Sequence, residues 1–258
     1  MKLYDFETYT EKKEGGAMGK AIVIASGKGG TGKTMVSANL GATLSRLGHQ
    51  VIVIDMDTGL RNLDLYLGLE NHVVYDVNDV MQGVCRIKQA IIRDKSFPGL
   101  SFMAASPKRS DGEITPLHMK VLCEKLKEMF DYVIIDAPAG MGDDLLIAIG
   151  GADHIVLIIN PEIASMRDGE MLSAFLRENG GSYQVHYLIN KMNLKLMRAG
   201  LAPSMEEVTR GIRGQVLGLI PYDENIHIST NIGVPIAFMP ESPIAQNFAR
   251  IAERVEEL

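Results

Sequence analysis

The sequence predicts an α/β protein with one doubly wound domain, in which a mostly parallel sheet carries helices on both faces. From about residue 20 onward, apolar runs of strand length alternate with amphipathic helical patterns, the arrangement that produces parallel sheets. The apolar runs are continuous, as expected for strands that are buried on both faces. The chain has 258 residues, 46% of them hydrophobic, which is enough for one substantial core.

The strands and helices are predicted from the spacing of their apolar residues. The first strand covers residues 21–25, and the helix that follows runs from Lys33 to about Leu47, where Gly48 ends it. Further strands are predicted at residues 51–54, 100–104, 132–135, 155–159, 185–189, 216–220 and 236–238. Further helices are predicted from Pro116 onward, from Pro161 to about Arg177 and over residues 243–257.

The two ends of the chain carry separate expectations. Residues 1–18 are charged, contain Gly-Gly and show no periodicity, which predicts a flexible extension ahead of a domain at residues 19–258. The last helix has an apolar stripe, but its polar face is mixed and ends acidic. A membrane anchor of the amphipathic type needs Lys and Arg on that face. The stripe therefore predicts a packed helix, formed through Ile244, Phe248, Ile251 and Val255.

Composition argues against several classes of protein. The formal net charge of -6 does not favour general binding to nucleic-acid phosphates. Cys85 and Cys123 lie outside any C-x-x-C pair, which predicts reduced thiols in a cytoplasmic protein and argues against an iron–sulfur carrier. No apolar run approaches ~20 residues, so no membrane-spanning helix is predicted. No two of the six histidines have the spacing of zinc ligands, and they are expected at surface or half-buried positions.

The most specific motif begins directly after the first predicted strand. Eight consecutive residues match G-x-x-x-x-G-K-[ST], the phosphate-binding loop: Gly27, Lys28, Gly29, Gly30, Thr31, Gly32, Lys33 and Thr34. Glycines allow backbone N–H groups to surround a phosphate, and the N-terminus of the following helix points at the same anion. Lys33 is expected to reach the outer phosphates, and the Thr34 hydroxyl to bind Mg²⁺. Lys28 is unusual, because it is a second lysine within the loop.

Three carboxylates follow predicted strands, at the sheet edge where ligands of doubly wound folds bind. Asp136 comes directly after residues 132–135 and is the candidate second carboxylate for Mg²⁺, either directly or through water. Asp55 and Asp57 end the second strand and open a loop. One of them is expected to organise Mg²⁺ and its waters, and the other to orient an attacking water.

Two further segments are candidates for the nucleotide base. Asn190-Lys191-Met192-Asn193 resembles the guanine-reading N-K-x-D motif, but its fourth residue is an amide, which cannot accept both hydrogen bonds from guanine equally well. Asn190 suits the amino group and ring nitrogen of adenine, so ATP is favoured over GTP. Pro221 and Asp223, after the seventh strand, are candidates for the second wall of the base pocket.

With these motifs in place, the chain resembles the deviant-Walker ATPases of the MinD/ParA class, which have a P-loop NTPase fold of the SIMIBI type. Residues 28–34 match the class motif K-G-G-x-G-K-[ST]. The resemblance covers the chain from about Lys20 to the C-terminus. It includes D-x-D-x-G-L-R-N-L-D at residues 55–64, V-V-Y-D at 73–76, D-x-P-A-G at 136–140 and N-P-E at 160–162.

The resemblance implies a slow, Mg²⁺-dependent ATP hydrolase that acts as an ATP-dependent dimerisation switch in the placement of the cell-division site. Lys28 would reach across a homodimer interface to the partner subunit's ATP. Asp57 would position the attacking water, while Asp55 and Asp136 would lie in the Mg²⁺ region.

The resemblance also implies partners and a location. Asp168 and Glu170, on the helix predicted from Pro161, would contact a MinC-like division inhibitor and a MinE-like stimulator. The protein would be cytoplasmic and act at the inner face of the cell membrane. The alternative is a related positioning ATPase, either a flagellar-number regulator or a ParA-type DNA-partitioning protein, although the acidic net charge makes DNA the weaker partner.

One residue departs from the pattern of the class inside the phosphate-binding loop. Met35 stands where the class usually has a second Thr or Ser. Its backbone N–H can still bind the α-phosphate, but a hydroxyl is lost. We therefore expect nucleotide binding to be weaker by roughly 1 kcal/mol, the value of one hydrogen bond.

Overall fold

The computed structural model describes residues 18–58, 61–93, 97–107, 114–239 and 241–258. The expected N-terminal extension lies outside the described residues except for Met18, so that prediction is not tested. Gly59 and Leu60, in the stretch that supports the family resemblance, also lie outside them.

The described residues form eight strands, which alternate with helices as the sequence predicts. The strands are β1 (Lys20–Ala25), β2 (Val51–Asp55), β3 (Ile92–Arg93), β4 (Leu100–Met103), β5 (Tyr132–Asp136), β6 (His154–Ile159), β7 (Gln184–Met192) and β8 (Gln215–Pro221).

The described residues also form eleven α-helices and two short 3-10 turns, the turns at Glu70–His72 and Ile236–Phe238. The helices are α1 (Lys33–Arg46), α2 (Leu63–Leu67), α3 (Val77–Met81), α4 (Ile87–Ala90), α5 (Pro116–Lys127), α6 (Asp143–Ala148), α7 (Ile163–Glu178), α8 (Leu194–Arg198), α9 (Met205–Arg210), α10 (Asn225–Asn231) and α11 (Pro243–Glu256).

All eight strands belong to one sheet, in the order β3-β4-β2-β5-β1-β6-β7-β8. Only the pairing of β3 with β4 is antiparallel among these strands. The carboxyl end of β1 therefore lies between those of β5 and β6, and the register sets Asp55 of β2 beside Asp136 of β5. This edge is where the loop after β1 meets the acidic residues, as the sequence predicts.

Helices cover both faces of the sheet, which confirms the predicted doubly wound architecture. Leu40 of α1 and Phe248 of α11 belong to the core on one face, and Leu126 of α5 and Leu172 of α7 belong to the core on the other. The apolar stripe of α11 is completely buried, and the Ser242 hydroxyl accepts a hydrogen bond from the Ile244 backbone N–H at the start of the helix. The prediction of a packed last helix is confirmed.

Several boundaries differ from the sequence prediction. The strand expected at residues 236–238 is a 3-10 turn, because Pro235 lacks an N–H and the Ala237 N–H donates to the Asn39 side chain instead of to a strand. The short edge strand β3 escaped the prediction, since two residues show no periodicity. Helix α7 begins at Ile163 rather than Pro161, because Glu162 has an extended backbone.

The histidine prediction is wrong for one pair. His154 and His186 are both buried, on the neighbouring strands β6 and β7, and their ring nitrogens Nδ1 and Nε2 are 3.2 Å apart. Thirty-two residues separate them along the chain, so sequence spacing could not reveal the contact. No group of three or more His, Cys, Asp or Glu side chains suited to a metal occurs among the described residues.

Candidate nucleotide-binding site

A cavity of about 600 Å³ opens at the carboxyl edge of the sheet. Its walls come from the phosphate-binding loop, the loops after β2 and β5, the end of β7, and the segment from β8 into α10. The predicted residues that line it are Gly29, Gly30, Gly32, Lys33, Thr34, Met35, Asp57, Asn190, Pro221 and Asp223. The structure therefore brings together the predicted phosphate and base regions.

The phosphate-binding loop is shaped by two glycines whose backbone angles other residues rarely adopt. Gly30 and Gly32 have φ angles of 74° and 98°, in the left-handed region that favours glycine. Around Gly29 and Gly30 the space that a side chain would fill is empty. Helix α1 begins at Lys33, directly after the loop. Its first N–H groups point toward the cavity end of the loop, which is the arrangement that binds phosphate.

The Lys33 side chain is held at the floor of this loop. Only 8% of the residue is exposed, and its Nζ donates a hydrogen bond to the Ser26 hydroxyl at 3.2 Å. Burial lowers the pKa of the Lys33 ammonium, while the nearby carboxylates of Asp136 and Asp57 raise it. A buried cation next to an open cradle is suited to a polyanionic ligand.

Asp136 is completely buried beneath the phosphate-binding loop. Its Oδ1 accepts a hydrogen bond from the Ser37 hydroxyl at 3.0 Å, and the Thr34 side chain bonds to the same carboxyl group. Burial, followed by repulsion from Asp55, raises the pKa of Asp136 to about 7, although Thr34, Lys33 and Ser37 oppose the shift. A buried carboxyl group of this kind gains a favourable partner when a divalent cation binds.

Asp55 shapes the loop that carries Asp57. Its Oδ1 accepts a hydrogen bond from the Asp57 N–H at 2.9 Å, and its Oδ2 accepts from the N–H groups of Asn62 and Leu63. Burial raises the pKa of Asp55 to about 6, and these backbone hydrogen bonds oppose the shift. Asp55 is thus already engaged with its own loop, and its predicted place in the Mg²⁺ region remains a prediction. Asp57 itself lines the cavity.

The β7 end ties the base region to the phosphate-binding loop. The Asn190 Nδ2 donates to the Thr31 carbonyl oxygen at 2.8 Å, and the Lys191 Nζ donates to the Gly30 carbonyl oxygen at 2.7 Å. Lys191 is the one non-glycine residue with positive φ, 54°, in the part of the chain that the structure describes. Asn190 therefore positions the loop as well as facing the base region.

Pro221 and Asp223 line another wall of the cavity, and their contact with the base remains a prediction. The Asp223 Oδ1 accepts hydrogen bonds from the backbone and side-chain nitrogens of Asn225 and so fixes the start of α10. The sequence did not reveal that Tyr66 of α2 and Thr230 of α10 also line this cavity. Neither belongs to a motif, and only the packing of α2 against α10 brings them to the site.

Lys28 does not line the cavity that its own loop surrounds. Among the described lysines of this region, Lys33 and Lys191 line the cavity, whereas the Lys28 Nζ pairs with Glu162 Oε2 at 3.0 Å. Both side chains are partly exposed, 33% for Lys28 and 55% for Glu162. Glu162 directly precedes α7. Lys28 is therefore accessible at the rim rather than bound inside the site.

The predicted partner-contact residues lie on α7, which touches the phosphate-binding loop. A Cβ atom built on Gly27 would lie 2.6 Å from the backbone oxygen of Asp168. Glu170 is exposed and packs against Gly211 at the end of α9. Asp168 thus lies directly behind the loop, while Glu170 faces outward, and neither lines the cavity among the residues described.

Two buried polar atoms at this edge fit a bound nucleotide. The Thr31 Oγ1 and the Asn190 Oδ1 have no hydrogen-bond partner among the described residues. Buried polar atoms without partners are rare in folded proteins and call for a ligand or water. A phosphorylated nucleotide fits these two atoms, the buried Lys33 and the open space beside Gly29 and Gly30. Mg²⁺ fits the carboxyl group of Asp136 and the Thr34 hydroxyl.

The fold and the site define a P-loop nucleotide-binding protein. Comparison with known sequences identifies the family: the chain belongs to the CobQ/CobB/MinD/ParA nucleotide binding domain family, whose profile matches residues 22–236. The resemblance to the MinD/ParA class and the predicted fold are both confirmed.

Individual relatives are similar over nearly the whole chain. The septum site-determining protein MinD of Bacillus subtilis (strain 168) is 38% identical over 239 residues, which are 92% of this chain and 89% of that protein. The MinC:MinD cell division protein complex of Aquifex aeolicus has a chain with a TM-score of 0.86 and 32% identity, with 93% of this chain and 96% of that chain covered. MinD of Pyrococcus horikoshii OT3, complexed with Mg-ADP, gives a TM-score of 0.82 and 30% identity, with 93% and 96% covered.

Within the described ranges, every helix is too short or too polar to cross a bilayer.

Proposed function

We propose that this chain is a MinD-like, Mg²⁺-dependent ATP hydrolase that works as an ATP-dependent dimerisation switch in the placement of the cell-division site. The observation that carries the proposal is the position of Lys28. Lys28 belongs to the phosphate-binding loop, yet it pairs with Glu162 and does not line the cavity that the loop surrounds. This position supports a role for Lys28 toward a second copy of the chain.

The ion pair between Lys28 and Glu162 is suited to a switch. Because both side chains are partly exposed, the pair contributes at most about 1 kcal/mol. Lys28 can therefore leave Glu162 for the phosphates of a partner's ATP at little cost, since charge-assisted contacts with phosphate are stronger. Each active site would then stay incomplete until two subunits meet, which supports a slow basal rate.

The residues of the cavity divide the work of binding and hydrolysis. Lys33 and the loop N–H groups hold the outer phosphates, and the free Oδ1 of Asn190 accepts from the adenine amino group. Thr34 and Asp136 would hold Mg²⁺, which would supply positive charge to offset that of the phosphates. Asp57 orients the attacking water, and Asp55 holds the Asp57 loop in place.

Helix α7 would report the state of the site to partners. Its residue Asp168 touches Gly27 in the phosphate-binding loop, so a movement of the loop is passed to the helix. A MinC-like division inhibitor would bind α7 near Asp168 and Glu170 once dimers form, and a MinE-like stimulator would act at the same helix. The dimer would recruit the inhibitor to the inner face of the cell membrane. The MinC:MinD complex of Aquifex aeolicus, with a chain similar to this one, supports that partnership.

Light scattering tests the switch directly. The wild-type chain with Mg²⁺ and ATP should form dimers that dissociate as ATP is consumed. The Asp57→Ala variant should remain dimeric, because dimers form but hydrolysis fails. Lys28→Ala should stay monomeric under the same conditions. A Lys28→Ala variant that dimerises like the wild type would contradict the role of this lysine.

A binding assay tests the cellular role. An immobilised Asp57→Ala dimer should retain a MinC-like inhibitor from the same cells in the presence of ATP, and Asp168→Ala or Glu170→Ala should weaken retention. Retention of duplex DNA with no inhibitor bound would instead assign the chain to the partitioning branch.

A further inference from the structure

An apolar groove of about 670 Å³ lies between α5 and the α3–α4 segment, and none of its described lining residues lines the nucleotide cavity. Leu117 and Val121 stand at its edge, one turn apart on α5, with 66% and 51% of their surfaces exposed. Side chains from α3, α4 and the end of α5 complete its apolar lining: Val80, Met81, Ile87, Leu122 and Met129. A contiguous exposed apolar surface of this kind is typical of a docking site.

The rim of the groove is mainly basic. Arg86, Lys88 and Lys125 lie along it. Glu128 is the acidic residue among its lining side chains, and it pairs with Lys125 at 3.1 Å. The apolar floor and the basic rim of the groove together favour an occupant that combines apolar and acidic residues.

The N-terminal segment of the same chain has this chemistry. Residues 3–9 read Leu-Tyr-Asp-Phe-Glu-Thr-Tyr, so apolar and aromatic side chains alternate with two carboxylates. The whole chain has only 8 tyrosines and 7 phenylalanines, yet three of them fall within these seven residues. Residues 10–17, which follow, are polar or small and are suited to a linker.

The chain also enters the described domain beside the groove. The Gly19 N–H donates to the Lys127 carbonyl oxygen at 3.0 Å, at the C-terminal end of α5. The groove follows α5 from Leu117 to Lys125, a length of about 12 Å, and continues to Met129 just beyond the helix. Eight linker residues span up to about 28 Å when extended, so residues 3–9 can reach any part of it.

We propose that residues 3–9 dock into the groove between α5 and the α3–α4 segment of their own chain. Leu3, Phe6 and Tyr9 fill the apolar floor, and Asp5 and Glu7 face the basic rim. The docked segment covers Leu117 and Val121. The nucleotide site does not account for the exposure of these two side chains. The proposal does not depend on the proposed ATPase function.

Cys85 provides a built-in probe, because its half-exposed thiol lines the groove. Cys123 is buried, and burial raises the pKa of its thiol to about 12, so it is expected to be inert in the folded protein. The rate at which an aromatic disulfide reagent modifies the full-length chain therefore measures access to Cys85. A Cys85→Ser variant confirms the origin of the signal.

Full-length variants test the docking from both sides. Phe6→Asp in the segment and Leu117→Asp in the groove should each speed the modification of Cys85 by about tenfold. This is the change in rate expected if the docked form of the wild-type chain is favoured over the undocked form by about 1.4 kcal/mol. Thr10→Ser in the linker and Leu201→Asp, a change at a leucine that is 75% exposed outside the groove, should leave the rate unchanged. Equal rates in wild type and Phe6→Asp would overturn the proposal.

A covalent trap decides which chain provides the segment. Mild oxidation of a full-length Phe6→Cys variant should join residue 6 to Cys85 within one chain, as seen by peptide mass spectrometry and a monomeric mass. Disulfides only between chains, or none involving Cys85, would contradict docking within one chain.

Discussion

Replacing Gly27 by alanine tests the contact between the phosphate-binding loop and α7. The added Cβ would lie 2.6 Å from the backbone oxygen of Asp168 and 2.8 Å from its carbonyl carbon. Ordinary van der Waals contact begins at 3.4 Å, so the two segments must separate by about 0.8 Å. Because the atoms that clash belong to the backbone of α7, a change of rotamer cannot relieve the overlap.

The size of the effect follows from two opposing contributions. Overpacking of this kind costs about 1–3 kcal/mol. Gly27 does not have a left-handed backbone, so alanine also lowers the entropy of the unfolded chain and stabilises by about 0.4–1 kcal/mol. We expect a net loss of about 0.5–2 kcal/mol, which lowers Tm by about 2–6 °C in a chain of this size. ATP binding should weaken too, because the loop is displaced.

Gly29→Ala is the matched control for this experiment. Nothing lies within 4 Å of a Cβ at Gly29, its φ is outside the left-handed region, and it lines the nucleotide cavity. Calorimetry without nucleotide should give an unchanged Tm, and titration calorimetry should show loss of ATP binding. An unchanged Tm for Gly27→Ala, or a lowered one for Gly29→Ala, would refute the contact as described.

Three further predictions concern the base region, the loop and the buried histidines. Asn190→Ala should weaken ATP binding by about tenfold in titration calorimetry, since the hydrogen bond to Thr31 and the acceptor for adenine are both lost. Met35→Thr should tighten ATP binding by about fivefold, which corresponds to about 1 kcal/mol. It should also lower the free energy of unfolding, because Met35 is buried in the core. An unchanged affinity for ATP would show that the missing hydroxyl does not contribute to binding. Burial lowers the pKa of His154 and of His186, although Asp153 opposes the shift of the first and Gln215 that of the second. The unfolded chain therefore binds more protons below pH about 6.5, and stability should fall as the pH drops from there through the lowered pKa. His186→Gln should flatten that dependence in urea unfolding at a series of pH values, and an identical slope would contradict the assignment.

Much of the site could be predicted because it depends on local sequence. The loop from Gly27 to Thr34 and the carboxylates after β2 and β5 follow buried strands directly, and parallel strands bring their carboxyl ends to one edge. Residues 190, 221 and 223 were found by the same rule. The family resemblance then supplied a role for Lys28.

The residues that escaped prediction reach the site by packing alone. Ser37 lies one turn after Lys33 on α1, and its contact with Asp136 depends on how α1 lies over β5. Tyr66 and Thr230 come together through the contact of two short helices. The pairing of Lys28 with Glu162 depends on where α7 begins, a boundary that periodicity places only to within a few residues.

A mixing experiment tests most directly whether each active site is completed by a second subunit. Lys28→Ala and Asp57→Ala proteins should each have little ATPase activity alone. In a mixed dimer, the Lys28→Ala subunit keeps its own Asp57 and receives Lys28 from its partner, so one site is complete. An equal mixture should recover activity above that of either protein alone, up to about a quarter of the wild-type rate. That limit is reached if the subunits pair at random, because half of the dimers are then mixed and each has one working site. No recovery, with mixed dimers shown to form, would mean that Lys28 acts within its own chain.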